Sequence, residues 1–230
     1  CIRAGGTLDA FETPAGDPVD LVAAKLQPVD SIMLLAAHIS RSVTMTEWMD
    51  PSILDEDKPF ERDRELNIYD PDCPNKPPYS PEFVARFRAA QIARNRRITA
   101  RAKATLAELK AGGDPDMERP FVVYGTMSDV RWTEPTQDPS DRKPYTCYLG
   151  EPRIVNDGPV GLGRFTTLRS WLSQWSYDAS RANGVKNAAH VTCPTLTVNN
   201  TADLACTPSH AARLFEALAS KDKTYVDIKD

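Results

Sequence analysis

Residues 193–218, CPTLTVNNTADLACTPSHAARLFEAL, carry the pattern from which the architecture follows. Residues 195–198 are a short β-branched and apolar run behind a proline, 199–203 are rich in turn formers, and Ala211, Leu214, Phe215 and Leu218 recur at helical spacing. The segment predicts strand, acidic loop, helix. Loops at the carboxyl ends of parallel strands are where α/β sheets hold their ligands, which puts Asp203 at a site. Aspartate is also a favoured turn and helix-capping residue, so a structural reading of Asp203 stands beside the catalytic one.

Upstream, residues 31–37, SIMLLAA, are a continuous apolar run that suits a strand buried on both faces of a parallel sheet. His38 follows at its carboxyl end, either facing the site or serving as a hydrogen-bonded residue at the core edge. Residues 223–228 read as a last strand. From 42 to about 158 the texture changes, since most of the nineteen prolines lie there among acidic turns, and this stretch reads as an insertion. Within it Ser80-Pro81-Glu82 gives a helix start and Gly112-Gly113 a stop, predicting a helix over 81–111. Its apolar stripe runs through Phe83, Phe87, Ile98, Ala102, Leu106 and Leu109, while Arg86, Arg88, Arg94, Arg96, Arg97, Arg101 and Lys103 read as a solvated charged face. Residues 121–124 suggest a short edge segment, and 162–175, LGRFTTLRSWLSQW, return to helical spacing. The aromatic face of that second helix, with Trp171 and Trp175, either docks the insertion or lines an apolar substrate pocket.

Composition narrows the function classes. A chain of 230 residues, 41% hydrophobic, can bury a sizeable core. Its formal charge of -4 and the lack of aromatics interleaved among the arginines weigh against nucleic acid as a partner. No apolar run is long enough for a membrane span, since 32–37 is interrupted by His38, so no membrane partner is expected. The five cysteines, Cys1, Cys73, Cys147, Cys193 and Cys206, are odd in number and contain no CxxC pair, which disfavours a disulfide framework and points to a reducing cytoplasm. Cys206 and His210 lie four apart but lack a second pair to complete a tetrahedral site, so neither metal nor other cofactor is expected. Cys1 in place of methionine reads as a start in mid-protein; a lipidated cysteine is the alternative, disfavoured by the turn-like Gly5-Gly6 that follows.

The order of glycine turn with helix, buried strand, long insertion, helix, acid-bearing strand, helix and last strand resembles the carboxyl-terminal two-thirds of an α/β-hydrolase, incomplete at its N-terminus, with a largely helical cap inserted after the sixth strand. The resemblance implies a mostly parallel sheet flanked by helices, with 1–41 as hydrolase core, 42–176 as cap and docking helix, and 177–230 as core again. It implies a small or medium apolar ester, thioester or related acyl substrate, with elbow serine, general-base histidine and an acid in that chain order. Asp203 then takes the place of the acid, with His38, Trp171 and Trp175 as pocket candidates.

Two departures from the family accompany the match. Laid on the GxSxG elbow, residues 1–5 keep only the last glycine, Gly5, and put Arg3 where the nucleophile belongs, with Ala4 beside it. Arginine has no deprotonated form at usable pH. The family's histidine comes shortly after the last strand, and no histidine follows residue 228 before Asp230. Codons for Cys-Ile-Arg-Ala-Gly read two bases later can spell His-Ser-Gly-Gly, so one expectation is a gene product with its first codons out of frame; an upstream frame entering Cys1 in register would exclude it. The alternatives are a non-catalytic relative that kept the pocket, and an enzyme with a carboxylate at the elbow, for which Asp9 is the nearest acid but lies inside the following helix.

Overall fold

The computed structural model describes residues 12–21, 23–113 and 116–229. Along the chain run strand β1 (Ile32–Leu35), helices α1 (Arg41–Trp48) and α2 (Pro81–Ala111), strand β2 (Pro120–Val122), short helices α3 (Val130–Thr133) and α4 (Pro152–Asp157), strand β3 (Phe165–Thr167), helix α5 (Leu168–Ser170) passing into a π-helical turn (Trp171–Trp175), helix α6 (Gly184–Ala188), strand β4 (Thr195–Asn200), helix α7 (Pro208–Ala217) and strand β5 (Lys223–Ile228). They divide into two units. One holds the described residues of Cys1–Arg41 with Ser140–Lys143 and Arg181–Asp230; the other holds Ser42–Pro139 and Pro144–Ser180.

In the first unit β-branched Thr195, Thr197 and Val198 put β4 at the centre of a three-stranded parallel sheet of order β1-β4-β5. Ile32 pairs with Thr195 and Leu35 with Val198, while Thr195 pairs with Lys223 and Asn200 with Ile228. Parallel neighbours require a crossover, and α7 supplies it between β4 and β5. Pro208 opens α7 at a position where a missing N–H costs nothing. Its buried Ala211 and Leu214, with Leu218 just beyond, turn toward the sheet, where Leu214 and Leu218 cluster with Ala188, Leu34, Ala37 and Val191. Each fully buried leucine contributes about 1.5–3 kcal/mol. The Lys223 ammonium donates to the carbonyls of Phe215 and Leu218, both at 3.0 Å, and so neutralises the negative end of α7.

β1 differs from its expected burial on both faces. Ile32 and Leu34 are half-buried toward the helices, but Met33 and Leu35 are 64% and 59% exposed. The helical cover given by α7 and α6 reaches only one face of the strand among the described residues. A close approach fixes the chain after β1: the Gly184 N–H donates to the Ile39 carbonyl at 2.5 Å, and a Cβ at 184 would fall on that oxygen.

The second unit is organised by α2. Ser80 caps it, its hydroxyl accepting from the Phe83 N–H at 3.1 Å, and the Gly112 N–H closes the last turn. Phe83 and Phe87 build a cluster with Leu66, Ile68, Tyr79 and Val130. Arg86, Arg96, Arg97, Arg101 and Lys103 are exposed as the charged face predicts and Arg88 is half-buried, but Arg94 departs from it. Arg94 is fully buried, paired with Glu56 and donating to the carbonyls of Asp50, Tyr124 and Gly125. Gln91 donates to the carbonyls of Glu47, Met49 and Ser128, and Asn95 to that of Trp175. Proline-rich loops leave carbonyls without a ladder partner, and buried carbonyls must find donors. A polar row on the middle of α2 supplies them.

Asp129 is buried beside Arg131 and Arg88. Burial alone raises its pKa, but the two guanidiniums win and hold the carboxyl well below the usual range. Residues 162–175 are not one helix. β3 pairs antiparallel with β2, Phe165 opposite Val122, and helical backbone starts only at Leu168. Gly163, at a positive φ of 60°, turns the chain, and β-branched Thr166 and Thr167 favour extension before the Thr167 hydroxyl accepts from the Ser170 N–H. Among the described residues no helix is long and apolar enough to cross a membrane.

Candidate functional site

Asp203 stands in the loop that leaves the carboxyl end of β4. A turn begins it, with the Asp203 N–H on the Asn200 carbonyl at 3.1 Å, and Oδ1 of Asp203 then accepts from the N–H groups of Ala205 and Cys206, each at 2.7 Å. This is the local side-chain to backbone bonding for which aspartate is selected in turns. Among the described residues no hydrogen bond reaches Oδ2. The half-buried carboxylate lines a cleft of about 300 Å³ with Asn200, Ala202, Ile228 and Lys229, at the carboxyl ends of β4 and β5. Asn199 ties the two strands by donating to Asp227 at 2.8 Å.

His38 occupies the matching place after β1. Ala36 turns the chain there with a left-handed φ of 44°, which costs an alanine about 1–2 kcal/mol and is held by its N–H on the Val198 carbonyl. The loop of His38 and the loop of Asp203 therefore leave adjacent parallel strands, and the structure joins them: Nδ1 of His38 lies 3.4 Å from the Cys206 thiol. Burial, reinforced by the Asp203 charge, pushes that thiol up to about 12. Desolvation and then His210 lower the pKa of His38. Both shifts favour a neutral thiol donating to a neutral imidazole, the opposite of the thiolate that cysteine chemistry needs. The pair joins two loops and is not primed as a nucleophile.

His38 also borders a larger cleft of about 680 Å³, whose apolar wall includes Leu34, Ala37, Ala188, Leu214 and Leu218. Cys206 lies before the first residue of α7, so it does not share a helix face with His210 as their spacing suggested. Among the described residues no group of three or more His, Cys, Asp or Glu is disposed to hold a metal.

Trp171 and Trp175 belong to the second unit. Trp171 is fully buried, its indole N–H donating to the Thr99 hydroxyl at 3.0 Å and its ring 6.0 Å from Phe121, while Trp175 is half-buried. Arg3, Ala4 and Gly5 lie outside the described residues. The His38–Cys206 contact is the feature that sequence reading missed; its signal was that both residues follow runs destined for neighbouring parallel strands. Comparison with known protein families, with curated proteins and with solved structures finds no match.

Proposed function

We propose that this chain is part of an α/β-hydrolase-type acyl hydrolase, acting on a small or medium apolar ester, thioester or related substrate, with Asp203 as the acid of its catalytic triad. The reading is carried by one observation. The carboxylate follows the central strand of a parallel sheet, is anchored through Oδ1 by two N–H groups, and belongs to a residue that lines a cleft at the strands' carboxyl ends. An acid so held can orient an imidazole through its remaining oxygen and stabilise the imidazolium formed as that base takes a serine's proton. The second unit falls between β1 and β4 in chain order, which agrees with a cap insertion.

A second reading, a binding protein without chemistry, draws on the same two hydrogen bonds, because they give Asp203 a structural task that needs no catalysis. Activity decides between them. The product of the whole reading frame containing residues 1–230 is assayed on an activated short-chain ester and with a serine-directed phosphonate. Turnover with covalent labelling supports the hydrolase; absence of both supports the binding protein.

A further inference from the structure

A small cavity in the second unit combines an apolar floor with a single uncompensated positive charge. Ile98, Ala102 and Thr105 of α2 line it at three- and four-residue spacing, and Phe121, Val123 and Leu168 close it from the β2 side. Ile98, Ala102, Val123 and Leu168 are buried, so the floor is a continuation of the unit's core. Four charged side chains stand around it: Glu56, Asp57, Arg101 and Arg119.

Three of the four are occupied. Both oxygens of Glu56 accept from Arg94, at 2.8 and 2.7 Å, and Asp57 accepts from Arg101 at 2.8 Å. Among the described residues no hydrogen bond or ion pair reaches the guanidinium of Arg119; only its backbone is engaged, the N–H donating to Glu118 and the carbonyl accepting from the Leu168 N–H. With the two acids matched by Arg94 and Arg101, the charge left over is that of Arg119. We infer that this cavity binds a small apolar monocarboxylate, with the carboxylate on Arg119 and the hydrocarbon on the floor formed by Ile98, Ala102, Phe121 and Leu168.

The charge pattern and the volume both restrict the ligand. One unmatched guanidinium balances one negative charge, which disfavours a phosphate dianion or a dicarboxylate relative to a monoanion. The cavity measures about 240 Å³, below the roughly 300–1,000 Å³ of pockets for drug-sized ligands, so a short chain or single ring is what fits. At its lip Val122 is exposed, and its register partner Phe165 is 71% exposed, extending apolar surface for the rest of a chain. This site is independent of Asp203 and of the hydrolase reading.

Octanoate is the probe, titrated calorimetrically into the full chain below its micelle concentration, with octanamide as the neutral match. Saturable 1:1 binding is expected, about fivefold weaker for Arg119→Gln, since an exposed ion pair contributes about 1 kcal/mol at most. Octanamide should bind that weakly to both proteins. Thr105→Trp, which fills the cavity from α2, should abolish binding, while circular dichroism shows both variants folded. No saturable binding, equal binding by Arg119→Gln, or binding untouched by Thr105→Trp overturns the assignment.

Discussion

Replacing Arg94 by methionine keeps much of the side chain's length and removes its five donors from the middle of α2. In the native protein Nε and Nη2 pair with Glu56 at 2.8 and 2.7 Å, Nη1 donates to the carbonyls of Asp50 and Gly125 at 2.9 and 3.0 Å, and Nη2 donates to that of Tyr124 at 2.7 Å. The Gly125 carbonyl keeps a second donor, the Asp50 N–H at 2.8 Å, and Glu56 can turn to solvent. Two carbonyls lose the donor supplied by Arg94, at about 1–3 kcal/mol each. The guanidinium's own desolvation is relieved, which offsets part of the loss, and the net destabilisation expected is about 3 kcal/mol, the low end for breaking a buried ion pair. All four tryptophans, Trp48, Trp132, Trp171 and Trp175, lie in the second unit, so urea denaturation followed by tryptophan fluorescence reads that unit alone. Arg94→Lys should fall between, since one ammonium cannot reach all of these acceptors. A cost for Arg94→Met within about 0.5 kcal/mol of zero, the range of ordinary surface substitutions, would refute the buried-row account.

Gly184→Ala should destabilise the first unit by about 1–3 kcal/mol, because the new Cβ displaces the Ile39 carbonyl. Slower-exchanging amides in that unit should lose protection while the tryptophan transition stays in place; unchanged exchange would show that the contact relaxes freely. In native protein at pH 8 the half-buried Cys193 should react with iodoacetamide long before Cys206, whose thiol stays buried and neutral; equal labelling by mass mapping contradicts the neutral pair. The depressed pKa of Asp129 contributes stability that is fully present above its unfolded value near 3.8 and declines as pH falls below it. Tryptophan-detected stability should therefore fall more steeply below that pH in the wild type than in Asp129→Asn, which starts lower at neutral pH; parallel curves would remove Asp129 from the account.

Local patterns made the sheet and α2 legible. β4, its acidic loop and α7 are each specified by neighbours in sequence, through β-branching, turn formers and a helix-opening proline, and α2 is bounded by Ser80-Pro81 and Gly112. What escaped depends on groups distant in the chain. Arg94 looks like a surface charge until the carbonyls of residues 50, 124 and 125 are brought to it, 44, 30 and 31 residues away. Phe165 fits a helical stripe by spacing, yet pairing with Val122 and the glycine turn at 163 override the period. Likewise the exposure of Met33 and Leu35 reflects which face of β1 is covered, something an apolar run cannot encode. For the site, Asp203 was legible because strand, turn and helix are contiguous, whereas the His38–Cys206 contact spans 168 residues.

The most direct measurement is ester turnover and phosphonate labelling by the full reading-frame product, in the wild type and in Asp203→Asn. Asparagine keeps an oxygen to accept from the Ala205 and Cys206 N–H groups, so the loop should fold as before, while an acid that orients a base is lost. The account predicts a labelled, active wild type and a folded Asp203→Asn variant slowed by about 10⁴-fold. An inactive, unlabelled wild type, or an Asp203→Asn variant as fast as its parent, would contradict it.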